Sequence, residues 1–295
     1  MKALHDLAAP AKLNLFLHVV GRRADGYHEL QSVFVLIDWC DTLHLERRAD
    51  GRLQRHDLGD ALPSDDLCLR AARLLQQRAG VADGVDIAID KRIPSGAGLG
   101  GGSSDAATVL LALNRLWKLH WPRGRLAALA LELGADVPFF VGGRNAWVEG
   151  IGERLTPIEL PEPLRGARWA VLKPAQSVPT AAIFGAATLK RDTAAATLPA
   201  FLADPTGFGH NDLQPTAEAH SAEVGAALGW LKQRGGRSRM SGSGSAVFAP
   251  WTQANDPFEG GVPPGWIARL CRGLECHPLA HWAEDAEPTV GRKTV

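Results

Sequence analysis

The chain has 295 residues, 45% of them apolar and 22% charged, and its 32 basic and 32 acidic side chains cancel to a net charge of zero. That balance argues against nucleic acid or an anionic membrane surface as the main partner, and the length predicts two domains rather than one. Four cysteines (Cys40, Cys68, Cys271, Cys276) show neither CxxC pairing nor metal-ligand spacing, and MKALHDLAAPAK has no apolar signal core, so a protein of a reducing, cytoplasmic compartment is expected.

In chain order, AKLNLFLHVV alternates, with Leu13, Leu15, Leu17 and Val19 on one face and Lys12, Asn14, Phe16 and His18 on the other. The predicted strand therefore holds Lys12 and Asn14 side by side. A turn at RRADGYH leads to LQSVFVLIDW, predicted as a buried strand, then to short strands around LHLER and LQRHD. Ser64 or Asp65 is placed to cap a helix through LCLRAARLLQQRAG, which Gly80 ends. VDIAID (85–90) predicts a strand, KRIPSGAGLGGGSSD a loop, AATVLLALNRLWKL a helix, and RLAALALELG a second helix that stops at Gly134 before ADVPFF. Beyond about residue 155 the texture turns proline-rich, with a strand at WAVL, a weakly patterned stretch over 191–220, and a second glycine-serine loop in MSGSGSAVFA.

PSGAGLGGGSSDAA (94–107) concentrates flexible backbone directly before a helix. Glycine there costs conformational entropy, and the functional reason for it is close approach of a ligand, phosphate above all, to the main chain. No lysine follows, so it is not a Walker A loop. Gly96-x-Gly98-x-x-Gly101 matches the dinucleotide fingerprint, but loop residues separate the strand from the first glycine and the next element is another helix. What such devices share is a run of N–H groups and a helix N-terminus aimed at an anion, here with Ser103 and Ser104 at the entry. A flexible loop with Ser104 or Asp105 as an ordinary cap is the alternative. Cys276, His277 and His281 lack a fourth ligand and are not expected to hold zinc.

The same fourteen residues resemble the nucleotide-binding motif of the GHMP kinase superfamily, P-x-x-x-G-L-G-S-S-A-A. Three more motifs of that superfamily stand in order: PAKLNLFLHVVGRRADGYHEL, LGADVPFFVGG and SRMSGSGSAVFA. The resemblance runs from Pro10 to about Pro250, and the GLGGGSSDAA form is similar to the branch that phosphorylates the 2-hydroxyl of a cytidine diphosphate-linked methylerythritol in the non-mevalonate (MEP) route to isoprenoid precursors. It implies an α+β fold of two lobes, a nucleotide-binding lobe over 1–155 and a C-terminal lobe over 156–295, with the active site in the cleft between them.

The resemblance also implies roles. Asp136 would be the general base and Lys12 its charge partner. Pro94, Gly96, Gly98, Leu99, Gly100, Gly101, Gly102, Ser103 and Ser104 would cradle ATP, with Lys91 and Asp66 lining the nucleotide pocket; relatives often carry asparagine where Asp66 stands. Mg²⁺ would ride on the ATP phosphates with Ser104 as a contact. Tyr27 and Phe184 would stack on cytosine, His28 would bond its edge, and Asn14, Thr180, Gly242, Ser243 and Gly244 would complete the substrate site. Each has an ordinary alternative: Asp136 as the cap of a helix begun by PFFV, Lys12 as a solvated charge, Tyr27 as a lid, Phe184 as core. The expected partner is a small molecule, with no nucleic acid or membrane, on a monomer or weak homodimer. Rival readings are a homoserine or mevalonate kinase, a non-catalytic sensor of the same fold, and a nicotinamide-dependent oxidoreductase.

Overall fold

The computed structural model describes residues 1–285. Strand β1 (Ala3–Arg22) runs antiparallel to β2 (His28–Arg48). The buried strand and the short strand expected over residues 30–47 are one element: a register shift between Pro10 and Ala11, opposite Cys40 and Ile37, bends the pair without ending it. β3 (Leu53–Asp57) lies parallel to β4 (Gly84–Asp90), and β4 pairs with the distal half of β2. Between them runs α1 (Leu67–Ala79), whose cap is Asp66 rather than Ser64 or Asp65: Asp66 Oδ1 accepts the Leu69 N–H at 3.1 Å. Gly80 ends it in the left-handed conformation, as its position predicts.

Helix α2 (Gly101–Leu116) begins inside the glycine run rather than at Ala106. Its residues from Ser104 to Asn114 are buried all round, so its start is not marked by a change from an exposed to a buried face. With α3 (Arg123–Leu131) and α4 (Val137–Gly142) it covers the sheet, and Leu75, Ile87, Leu110 and Phe139 belong to that core. β5 (Ala146–Glu149) pairs with the proximal part of β2 and with β6 (Arg154–Pro157).

The C-terminal half builds on β7 (Arg168–Lys173), followed by α5 (Thr180–Gly185), α6 (Leu198–Ala203), α7 (Gln214–His220) and α8 (Ala222–Gln233). Then come β8 (Arg239–Met240), β9 (Val247–Pro250) and β10 (Ile267–Leu274). β7 lies between β9 and β10, and the end of β10 pairs with β2 at Gly273–Ile37 and Leu274–Leu36. The sheet order is thus β3-β4-β2-β10-β7-β9-β8, continuous from one lobe to the other. Largely antiparallel strands covered by helices make an α+β fold. β1 is buried on both faces over Ala9–Val19. The polar side of its alternation, Lys12 and Asn14, faces the protein interior rather than solvent.

Candidate active site

A cleft of about 750 Å³ lies where β1, the glycine loop before α2, the loop between α3 and α4, the β8–β9 turn and α5 converge. Lys12, Asn14, Gly98, Gly100 and Asp136 line one end, and Tyr27, His28, Thr180 and Phe184 the other.

Lys12 reaches this cleft from the middle of a strand and is only 3% exposed. Its Nζ donates to Asn14 Oδ1 at 2.5 Å, stands 3.5 Å from Asp136 Oδ2 and lies over the Phe34 ring at 4.6 Å from the centroid. Asn14 is held by Ser32, whose Oγ accepts its amide at 3.1 Å. Asp136 occupies the cap position of α4, yet its side chain accepts no capping hydrogen bond. The helix-cap alternative for Asp136 is therefore not what the carboxylate does. It is partly open to the cleft and paired to a nearly buried ammonium, and neither the strand lysine nor this aspartate is a freely solvated charge.

The glycines of the first loop divide into distinct structural tasks. Gly98 has φ +72°, and a Cβ there would sit 2.2 Å from the Ser241 carbonyl oxygen and 3.0 Å from Gly244 N. The two glycine loops thus dock main chain to main chain, and Ser241 Oγ donates to the Gly98 carbonyl at 3.1 Å. Gly100, at φ +73°, opens α2; a Cβ there would meet Phe140 Cζ at 2.9 Å. Neither Ser104 nor Asp105 caps α2, which has no side-chain cap at all. Ser104 N–H bonds the Gly100 carbonyl at 2.9 Å, and the turn before it is the N-terminus of a helix without a side-chain cap, where the dipole favours negative charge. Gly102 is exposed on that turn, and a Cβ there would have only Leu67 Cδ1 nearby, at 3.7 Å.

These tasks separate in mutants. Gly100→Val is expected to lower the melting temperature, because strain and overlap fall on the fold itself, at roughly 1–3 kcal/mol for the backbone alone. Gly102→Val is expected to melt close to wild type and to bind ATP more weakly, since its side chain grows only into the open turn. Melts and nucleotide titrations on both variants check this; normal ATP affinity in a folded Gly102→Val would return the loop to a purely structural role.

At the far end, the Phe184 ring lies 5.2 Å from that of His28 at an angle of 36°. Tyr27 is 60% exposed and, among the described residues, touches no other ring, so the two proposed stacking rings stand apart across the cleft rather than against each other. Thr180 Oγ1 and Ser243 Oγ are 2.7 Å apart, which ties α5 to the second glycine loop.

Two nucleotide-pocket candidates are otherwise engaged. Asp66 caps α1 and pairs with Arg55 at 2.9 Å. Lys91 is held between Asp41 and Asp105, the latter at 2.6 Å. Burial pushes the Asp105 carboxyl above the usual carboxylate range, against the pull of Lys91. Burial opposes the charge of Lys91, but Asp105 and Asp41 outweigh it and raise its pKa. Neither Asp66 nor Lys91 lines the main cleft. His277 is buried, with Nδ1 accepting the Leu279 N–H at 3.0 Å, and no metal-ligating cluster of three His, Cys, Asp or Glu side chains occurs among the described residues.

Three contributors carry no signal in the sequence. Ser32 orients Asn14 from an apolar-looking strand. Asn211 Nδ2 donates to the Met240 and Gly242 carbonyls, both at 2.8 Å, and so shapes the second glycine loop. Arg191 Nε donates to His28 Nε2 at 2.9 Å. Asn211 and Arg191 lie in the weakly patterned stretch, where periodicity offers no guide to orientation.

Residues 66–144 match the GHMP kinases N terminal domain and residues 197–257 the GHMP kinases C terminal family. The chain is 66% identical over 288 residues to the 4-diphosphocytidyl-2-C-methyl-D-erythritol kinase of Methylibium petroleiphilum, covering 96% of this chain and 99% of that one. Among solved structures it resembles a 4-(cytidine 5'-diphospho)-2C-methyl-D-erythritol kinase at TM-score 0.76 and 37% identity, over 91% of this chain and 99% of the other. A homoserine kinase from Cytophaga hutchinsonii, 16% identical at TM-score 0.68 over 94% and 96% of the two chains, shares the fold.

Proposed function

The chain belongs to the GHMP kinases and, within them, to the 4-diphosphocytidyl-2-C-methyl-D-erythritol kinases; from that premise we propose how its cleft transfers phosphate. It is an ATP-using phosphotransferase of the MEP pathway to isoprenoid precursors. The acceptor is the 2-hydroxyl of the methylerythritol unit, brought beside Asp136. Asp136 takes the hydroxyl proton as the oxygen forms its bond to the γ-phosphorus, and the bond from that phosphorus to the β–γ bridging oxygen breaks, leaving ADP. Lys12, 3.5 Å from the carboxylate, stabilises the alkoxide as it develops. Little covalent chemistry is asked of the protein, so position and charge carry the rate.

The Gly98–Ser104 segment would hold the ATP phosphates on the open first turn of α2. The Ser104 hydroxyl, buried with no hydrogen-bond partner, is an oxygen donor of the kind Mg²⁺ accepts. Mg²⁺ would neutralise charge on the transferring phosphates, with Ser104 as its one protein contact beside phosphate oxygens and water. A nucleotide-binding lobe (1–155) and a C-terminal lobe (156–295, of which 286–295 lie outside the described residues) would flank this cleft, with β10 paired to strands of both halves.

The observation that carries the proposal is that one cleft joins the Lys12–Asp136 pair to the Tyr27, His28 and Phe184 cluster. A base-free alcohol has no use for that second end. Tyr27→Ala and Phe184→Ala are each expected to weaken substrate binding by about 1–3 kcal/mol, the worth of stacking one base, with ATP binding hardly changed. KM for the cytidine diphosphate substrate, measured with ATP saturating, checks this. Wild-type KM in both variants would favour a GHMP kinase of a smaller alcohol.

A further inference from the structure

We propose that Arg191 is a positioning residue: its hydrogen bond fixes His28 as the tautomer protonated on Nδ1 and so sets the preference for cytosine over uracil at the base end of the cleft. The proposal rests on the substrate assignment above and extends it to the origin of its selectivity.

Arg191 Nε donates to His28 Nε2 at 2.9 Å. A guanidinium has five donors, no acceptor, and keeps its proton at any ordinary pH. Nε2 must therefore offer its lone pair, and a neutral imidazole then carries its hydrogen on Nδ1. Burial, with Arg191 and Arg22 nearby, holds the His28 pKa below the usual histidine value, which keeps the ring neutral. Nδ1 has no protein partner among the described residues, and His28 lines the cleft.

The guanidinium itself is anchored. Nη2 donates to the Phe184 and Ala186 carbonyls at 3.1 and 2.8 Å, and Nη1 to the Leu189 carbonyl at 3.0 Å. One side chain thus holds both the edge-reading imidazole and the end of the helix that carries the Phe184 ring, 5.2 Å from it.

The chemistry of the two pyrimidines gives this consequence. Cytosine N3 is an acceptor and meets an Nδ1–H directly. Uracil carries a hydrogen on N3, so the same ring would set donor against donor and leave a buried polar group unpaired. Without Arg191 the imidazole exchanges tautomers, and an unprotonated Nδ1 can accept from uracil N3.

Two measurements test this. In the first, ¹⁵N NMR of histidine-labelled protein at mildly alkaline pH, with the His28 signals assigned by their loss in His28→Gln, should show Nδ1 protonated and Nε2 bare before any substrate is added. A ring protonated on Nε2 overturns the role of Arg191. In the second, kcat/KM is compared for the cytidine and uridine forms of the substrate in wild type, Arg191→Met and Arg191→Lys. Arg191→Met should lose about tenfold to a hundredfold of the cytidine preference, the worth of one buried hydrogen bond, through a lower KM for the uridine form together with a smaller rise for the cytidine form. Arg191→Lys, still a pure donor, should restore part of it. Equal losses on both substrates would mean that Arg191 only supports α5, and would overturn the proposal. A wild-type enzyme with the expected tautomer but no cytidine preference would overturn the base-end assignment instead.

Discussion

Asp136→Asn is expected to bind ATP and substrate nearly as wild type does while kcat falls by roughly two to four orders of magnitude, the range for losing a general base. The substitution keeps shape and removes only the ability to take a proton. It should not unravel α4, because the Asp136 side chain makes no capping bond there. Nor should it release Lys12, whose Nζ remains bonded to Asn14 at 2.5 Å. Steady-state kinetics with separate ATP and substrate titrations read the effect, and turnover near wild type would assign the proton transfer to another group.

Lys12→Met is expected to lower kcat by about a hundredfold to a thousandfold with a smaller rise in KM, as for removal of one preorganised charge from a developing oxyanion. Methionine keeps the apolar stem that packs beside Gly100 and deletes the ammonium that lies over the Phe34 ring. A KM effect with kcat unchanged would make Lys12 a ground-state binding group. Since Lys12 and Asp136 act as a contacting pair, the double variant should lose much less than the product of the two single losses.

Much of this site is legible in the sequence because period-two alternation on β1 puts Lys12 and Asn14 on one face, and the structure joins them directly. Four ordered motifs also mark the loops that meet around the cleft. The division of labour among the glycines is hidden: Gly98 serves contact with a loop more than a hundred residues away, which no local pattern encodes. The start of α2 is hidden because a helix buried all round has no polar face to mark where it begins. LHLER reads as separate from the strand before it because Asp41 and Thr42 interrupt the apolar run. In the fold Asp41 is buried, accepting the Arg92 and Ile93 N–H groups and pairing with Lys91. Arg191 lies in the weakly patterned stretch, and its tie to His28 spans a sequence separation of 163 residues, which no local pattern encodes.

The most direct test is a substrate panel on the purified protein with ATP saturating, in which ADP release and the phosphorylated product are followed together. With 4-diphosphocytidyl-2-C-methyl-D-erythritol, one ADP should appear per substrate phosphorylated, and phosphorus NMR should place the new phosphate on the 2-hydroxyl. Homoserine and mevalonate should give no product above background, and NADH should neither bind nor be consumed. Efficient phosphorylation of a base-free alcohol, with none of the cytidine diphosphate substrate, would contradict the assignment of this cleft.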